Sequence, residues 1–306
     1  IVVTPLIALM KAQVDRLRRM GFPAVAIHSG LSSRQIDIAL DNCVYGDVKF
    51  LYVAPERLAT EAFRVRLKVM NVSLVVVDEA HCISQWGYDF RPSYLRIAEL
   101  REYQPKATVL ALTASATDIV STDIMHHLGF KTPNIIRTSF ARPNLSYVVR
   151  NVEDKLEHTL RIVRNVEGSG IIYVRTREGC EQLCEQLRAE GESANFYHAG
   201  LPSMERSLRQ DDWVTGKVRI MVATNAFGMG IDKRDVRFVV HYTMSDSLES
   251  YYQEAGRAGR DGERSYAVIL MASGDNNRII DLFEKEIPDI DLIRTVYHEL
   301  CSYLGV

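Results

Sequence analysis

The sequence predicts an α/β protein built from two parallel, helix-covered sheets, and three observations carry that reading. Short β-branched runs alternate with longer amphipathic stretches, and the alternation occurs twice along the chain. The length, 306 residues, exceeds what a single hydrophobic core usually organises. The apolar run Leu74-Val75-Val76-Val77 ends abruptly in two acids, Asp78-Glu79, as strands that present ligand-binding groups at the edge of an open α/β sheet do.

Taken in order, Ile1 to Thr4, Ala24 to His28, Phe50 to Val53, Leu74 to Val77 and Val109 to Leu112 read as buried strands with helical patterns between them. Strand-helix-strand order requires a crossover that packs on the sheet face, so successive strands pair in parallel. The alternation resumes after Arg142-Pro143 with Ile171 to Val174, Asn195 to His198, Arg219 to Ala223, Arg237 to His241 and Tyr266 to Met271. Lys131 to Asn144, which contains Pro133 and Pro143, is the expected hinge. From Pro288 a further helix is expected, with Leu292, Ile293, Val296, Tyr297 and Leu300 on one apolar stripe. The expected domains are 1–140, 141–286 and 287–306, the last being the start of an accessory domain.

Bulk composition narrows the class without naming an activity. Apolar residues at 47% and charged residues at 25% fit a globular chain. No apolar run approaches a membrane span, and Ile1-Val2-Val3-Thr4-Pro5 has neither an initiator Met nor the order of a signal peptide. The expectation is a cytoplasmic segment of a longer protein. Five scattered cysteines, an odd number, do not form a disulfide framework. A net charge of -2 excludes a uniformly basic coat, so any contact with nucleic acid has to come from a local surface.

The sharpest chemical signal is Asp78-Glu79-Ala80-His81. Adjacent carboxylates at a strand end can divide labour, one holding hydrated magnesium and the other polarising an attacking water. A single acid capping the next helix is the plainer alternative, and it fits a double acid after four apolar residues less well. Trp86, Tyr88 and Phe90 lie in the polar loop that follows, where exposed rings stack on bases at about 1 to 3 kcal/mol each; rings folded back into the core are the alternative. Arg91 beside them meets a phosphate or pairs with Asp89. Gly228 and Gly230 allow close backbone approach to a ligand. Arg257 and Arg260, three apart on a helical stretch, face one side and suit phosphate oxygens, or form a solvated pair.

Together these motifs resemble the RecQ family of DNA helicases along nearly the whole chain. Thr4-Pro5-Leu6-Ile7-Ala8-Leu9-Met10 is similar to motif Ia, and Tyr52-Val53-Ala54-Pro55-Glu56-Arg57 to the DNA-facing segment after it. Asp78-Glu79-Ala80-His81 is similar to motif II, and Cys82-Ile83-Ser84-Gln85-Trp86-Gly87-Tyr88-Asp89-Phe90-Arg91-Pro92 to the family's aromatic-rich loop. Leu112-Thr113-Ala114-Ser115-Ala116-Thr117 resembles motif III. In the second half Tyr197-His198-Ala199-Gly200-Leu201 precedes Ala223-Thr224-Asn225-Ala226-Phe227-Gly228-Met229-Gly230-Ile231-Asp232-Lys233, which resembles motif V. Gln253-Glu254-Ala255-Gly256-Arg257-Ala258-Gly259-Arg260-Asp261-Gly262 resembles motif VI.

The resemblance implies two RecA-like lobes, the first truncated at its N-terminus, with ATP and magnesium as cofactors and single-stranded DNA and duplex junctions as partners. It implies movement 3′ to 5′ in DNA recombination and repair. Glu79 becomes the general base and Asp78 the magnesium holder, through water. Gln253, Asp232, Arg257 and Arg260 become nucleotide contacts, the two arginines stabilising charge on the transferred phosphate. His81 and Gln85 couple nucleotide to DNA, and Thr4, Pro5, Trp86, Tyr88, Phe90, Arg91, Thr224 and Gly228 face or sense the DNA. Two other readings stay open: an RNA-remodelling ATPase on the same scaffold, and a nucleic-acid-binding chain inert in hydrolysis.

The pattern departs from the family in places. A phosphate-cradling loop ends in Gly-Lys-Ser/Thr, and the one Gly-Lys pair, Gly216-Lys217, is followed by Val218. The resemblance places that loop upstream of Ile1, so the 306-residue chain alone is expected not to hydrolyse ATP. Zinc is unsupported, since only Cys301 lies beyond motif VI, and Cys180 with Cys184 reads as helix packing. Tyr173-Val174-Arg175-Thr176-Arg177 is a looser match to motif IV.

Overall fold

The computed structural model describes every residue except Tyr88, Pro133, Met229, Gly230, Asp232, Ile287, Gly305 and Val306, and for Ala8, Leu282, Phe283, Lys285, Glu286, Ser302 and Leu304 only the backbone. The chain divides into two compact units: 1–144 with 225–235 and 245–263, and 145–224 with 236–244 and 264–306.

The first unit holds β1 (Val2–Val3), α1 (Ile7–Arg19), β2 (Ala24–Ile27), α2 (Ser33–Tyr45), β3 (Phe50–Val53), α3 (Glu61–Leu67), β4 (Leu74–Val77), α4 (Leu100–Tyr103), β5 (Thr108–Ala111) and α5 (Asp118–His127). Among the described residues its strands form one sheet in the order β2-β3-β1-β4-β5, with every pairing parallel. Val3, Val53, Val75, Val77, Phe63, Leu67 and Ile83 close the core beneath it. Helix starts are written in the sequence. Ser32 accepts the Gln35 N–H while the Gln35 side chain accepts the Ser32 N–H, so two free donors at the start of α2 are satisfied at once. Thr117 does the same more simply for α5, accepting from the Val120 N–H.

The second unit holds β6 (Leu145–Asn151), α6 (Lys155–Asn165), β7 (Ser169–Tyr173), α7 (Arg177–Ala189), β8 (Ala194–Tyr197), α8 (Ser203–Val214), β9 (Ile220–Ala223), β10 (Val236–His241), β11 (Ser265–Met271), α10 (Asp275–Glu286) and α11 (Ile290–Leu304). Helix α9 (Leu248–Ala255) groups with the first unit. The second sheet runs β6-β11-β10-β7-β9-β8, again all parallel. Every residue of β7 and β9 is buried, as expected of parallel strands covered on both faces. Cys180 and Cys184 sit in this core with Leu183 and Leu187.

The two sheets repeat one another closely. Strands β2, β3 and helix α1 match β8, β9 and α7 at constant spacing, and even a side-chain detail recurs: Arg18 Nε donates to the Ala24 carbonyl at 2.8 Å, and Arg188 Nε to the Ala194 carbonyl at 2.8 Å. The counterpart of β5 is β11, which β6 covers; β5 itself ends its sheet, leaving Leu110 and Leu112 exposed. The predicted stripe on α11 is present, and Leu292, Ile293, Val296, Tyr297 and Leu300 are all exposed. Strand β6 was not among the strands predicted from sequence.

Candidate active site

The C-terminal end of β4 delivers Asp78 and Glu79 to the sheet edge, where both are half-buried. Asp78 is fixed from three sides. Its Oδ1 accepts the Glu79 N–H at 3.0 Å, its Oδ2 accepts the Thr4 hydroxyl at 3.3 Å, and its own carbonyl accepts the hydroxyl of fully buried Tyr94 at 3.0 Å. Glu79 has φ 49° and ψ 47°, and among the described residues it is the one non-glycine with positive φ. That left-handed turn costs roughly 1 kcal/mol or more and persists because the surroundings impose it, which is common where a side chain must be aimed.

Burial raises the proton affinity of both acids. For Glu79 the neighbouring Asp78 charge adds to burial, while Arg257 opposes it. Among the described residues neither acid makes an ion pair with a lysine or arginine; Glu79 Oε2 lies 3.4 Å from Nδ1 of His81. His81 is almost fully buried, and burial pulls its pKa down to about 4, so the ring is neutral at pH 7 and adds no positive charge beside Glu79. Two hard oxygen donors of this kind suit a magnesium ion that keeps most of its water. Among the described residues no group of three or more His, Cys, Asp or Glu gathers as a metal site.

The loop after Glu79 turns on the segment that follows β5. Ala80 N–H donates to the Leu112 carbonyl at 2.9 Å, and His81 Nδ1 lies 3.0 Å from the Thr113 hydroxyl. Gly87 folds back so tightly that a Cβ there would collide with the His81 carbonyl oxygen. Gln85 and Trp86 are exposed, Trp86 at 75%, so this ring is not a core residue. Phe90 is half-buried, and Arg91 places Nε and Nη2 on one oxygen of Asp89 at 3.0 and 2.8 Å. Thr4 is fully buried, and Pro5 half-buried beside it.

Residues 225–235 and 245–263 bring further groups to the first unit. Arg257 is 8% exposed, with one guanidinium nitrogen on the Gly228 carbonyl and its Nε bonded to no described residue. Gly228 has φ 113°, and a Cβ there would overlap the guanidinium. Arg260 is exposed, donates to the Ile231 carbonyl at 2.8 Å, and lines a cavity of about 320 Å³ together with Glu79, Gln13 and Arg16. Gln253 Nε2 donates to the Ser115 hydroxyl at 3.4 Å. Thr224 belongs to the second unit, buried at the end of β9 with its N–H on the Tyr197 carbonyl. Tyr88 and Asp232 lie outside the described residues. The supporting groups Tyr94, Thr113 and Ser115 were not singled out from sequence; only the resemblance to motif III touched two of them.

Comparison with known proteins meets this geometry. The DEAD/DEAH box helicase family matches residues 1–122 and the helicase conserved C-terminal domain matches 154–262. The ATP-dependent DNA helicase RecQ of Bacillus subtilis (strain 168) is 44% identical over 277 residues, covering 90% of this chain and 47% of that protein. That of Pasteurella multocida (strain Pm70) is 42% identical over 276 residues, covering 90% of this chain and 44% of that protein. Over 90% of its length the chain is a homologue of RecQ helicases. It spans less than half the length of these two RecQ relatives. Solved structures agree on the fold: the helicase MrfA bound to DNA has a TM-score of 0.73 at 16% identity, covering 91% of this chain and 41% of that one. S. cerevisiae Dbp5 bound to RNA and ADP BeF3 has a TM-score of 0.68 at 20% identity, covering 94% of this chain and 75% of that one. Among the described residues no helix is long and apolar enough to cross a membrane.

Proposed function

We propose that this chain is the greater part of the motor of an ATP-dependent DNA helicase that unwinds duplex DNA by moving 3′ to 5′ along one strand, in recombination and repair. The observation that carries the chemistry is the pair of half-buried acids at the end of β4, Asp78 held by Thr4 and Glu79 aimed by a left-handed turn. Glu79 is the general base: its raised proton affinity suits it to draw a proton from the attacking water. Asp78 holds magnesium through water, and the ion neutralises charge on the ATP phosphates when bound. Thr4 acts through Asp78, since a fully buried hydroxyl has no access to DNA. The phosphate-cradling loop that the family implies is not found within these 306 residues.

Arg260, beside Glu79 on the same cavity, and Arg257 neutralise charge on the transferred phosphate, with Gln253 and Asp232 as further nucleotide contacts. Trp86 is the base-stacking residue, exposed and one short loop from the acids; Gln85, Tyr88, Phe90, Arg91, Pro5, Thr224 and Gly228 complete the set that binds DNA or couples to it. His81, neutral and bonded to Thr113, couples the two sites. Lobes 1–140 and 141–286, followed by an accessory region from 287, remain the proposed domains, and single strands and duplex junctions the proposed partners.

Strand displacement by the full-length protein tests this reading, using 3′-tailed and 5′-tailed DNA duplexes and the matching RNA. ATP-dependent unwinding of the 3′-tailed DNA is expected. Preference for RNA overturns the DNA reading, and ATP turnover without strand separation overturns the helicase reading.

A further inference from the structure

We propose that Asp123, on α5 and outside every motif recognised above, is a positioning residue that sets the Trp86 loop and through it the response of the active site to single-stranded DNA. The proposal rests on the reading of Trp86 as a base-stacking residue. Asp123 Oδ2 accepts the Ser84 hydroxyl at 2.7 Å, and the Ser84 oxygen accepts the Trp86 N–H at 3.2 Å. Ser84 is fully buried. A carboxylate only accepts, so the serine proton points at Asp123 and its lone pair is left for Trp86. The polarity of this short relay is therefore fixed from the helix outward. Gly87 N–H closes the turn on the Ser84 carbonyl at 3.0 Å, and the tryptophan ring stands out at 75% exposure, held from behind by a buried hydroxyl.

The same stretch grips the loop nearer its root. Leu112 accepts the Ala80 N–H, and Thr113 holds His81, which touches Glu79. Residues 112 to 123 thus fasten residues 80 to 86 at three points, the first beside the general base and the last beside the stacking ring. A base landing on Trp86 pushes on a segment clamped at both ends, so displacement reaches Glu79 instead of dissipating in a loose loop. Loss of the Asp123 carboxylate removes the outer clamp while leaving the inner two in place.

The test uses the full-length protein with oligothymidylate as the probe. Trp86 emission is read as the difference from a Trp86→Phe variant, alongside ATPase stimulation. Asp123→Ala and Ser84→Ala should each raise the oligothymidylate concentration for half-maximal stimulation by about tenfold, the scale of one lost hydrogen bond to a charged group. The KM for ATP without DNA should hold. Asp123→Asn, which keeps an acceptor, should retain most of the response. The double variant should be no worse than either single one, because both break the same relay. If Asp123→Ala fails to fold, Ser84→Ala and Asp123→Asn carry the comparison. A Trp86 signal blind to DNA in the unmodified protein overturns the stacking reading and the proposal with it. A responsive Trp86 that responds equally without the Asp123 carboxylate overturns the proposal alone, as do additive losses or an equal fall in basal turnover.

Discussion

Glu79 Oε2 lies 3.4 Å from Nδ1 of His81, and the same nitrogen lies 3.0 Å from the Thr113 hydroxyl. Because burial holds the ring near a pKa of about 4, this is a contact of a carboxylate with a neutral imidazole at physiological pH. The folded-state pKa is below the ordinary value of 6.5, so as pH falls from 6.5 toward 4 the unfolded chain takes up a proton that the folded chain refuses. Stability from this group is intact above pH 6.5 and is lost across that window. Unfolding midpoints measured through it should fall, and His81→Asn should flatten the slope. Some slope should persist, because His28 is lowered too, by burial and by the charges of Lys11 and Arg57. An unaltered slope in His81→Asn contradicts the assignment.

Trp86→Ala in the full-length protein should leave the melting temperature within the small range typical of surface changes, about 0.5 kcal/mol either way. Stimulation of ATP turnover by single-stranded DNA should drop much further than basal turnover. The 75% exposure of the ring is the reason to separate the two effects. A core tryptophan would instead cost about 3 to 5 kcal/mol. A large fall in melting temperature with normal stimulation per folded molecule would remove Trp86 from the DNA path.

The two arginines should behave differently. Arg260 is exposed on the Glu79 cavity, so Arg260→Ala should cut turnover by about 10³-fold, the lower range for an arginine that neutralises the transferred phosphate, with little change in stability. Arg257 is buried against Gly228, so Arg257→Ala should lower both turnover and the melting temperature. Lysine at 260 should rescue in part, keeping charge without the planar fork. Turnover and thermal unfolding of the three variants decide this; near-normal turnover in Arg260→Ala contradicts it.

Much of the fold is legible because strands buried on both faces must be nearly continuous apolar runs, as β9 is. Strand β6 escaped for the opposite reason: it lies at the edge of its sheet, alternates inward and outward residues, and leaves Tyr147 and Val149 exposed directly after Pro143-Asn144. Asp78 and Glu79 are legible because one strand end presents both. Tyr94, Thr113 and Asp123 are not, since each acts through a side-chain hydrogen bond to a residue 16 to 39 positions away, a relationship without local periodicity. The left-handed turn at Glu79 had no signal either, because glycine or asparagine is the usual occupant of that conformation.

With Glu79 as the base and Asp78 as its metal-holding neighbour, hydrolysis depends on one proton acceptor. Glu79→Gln in the full-length protein preserves shape and hydrogen bonding but removes the proton acceptor. Single-turnover hydrolysis with saturating DNA, measured beside nucleotide and DNA affinity, should show both affinities kept within a few-fold, with the chemical step slowed by at least about 10²-fold. Hydrolysis within a few-fold of the unmodified protein would mean that another residue activates the water.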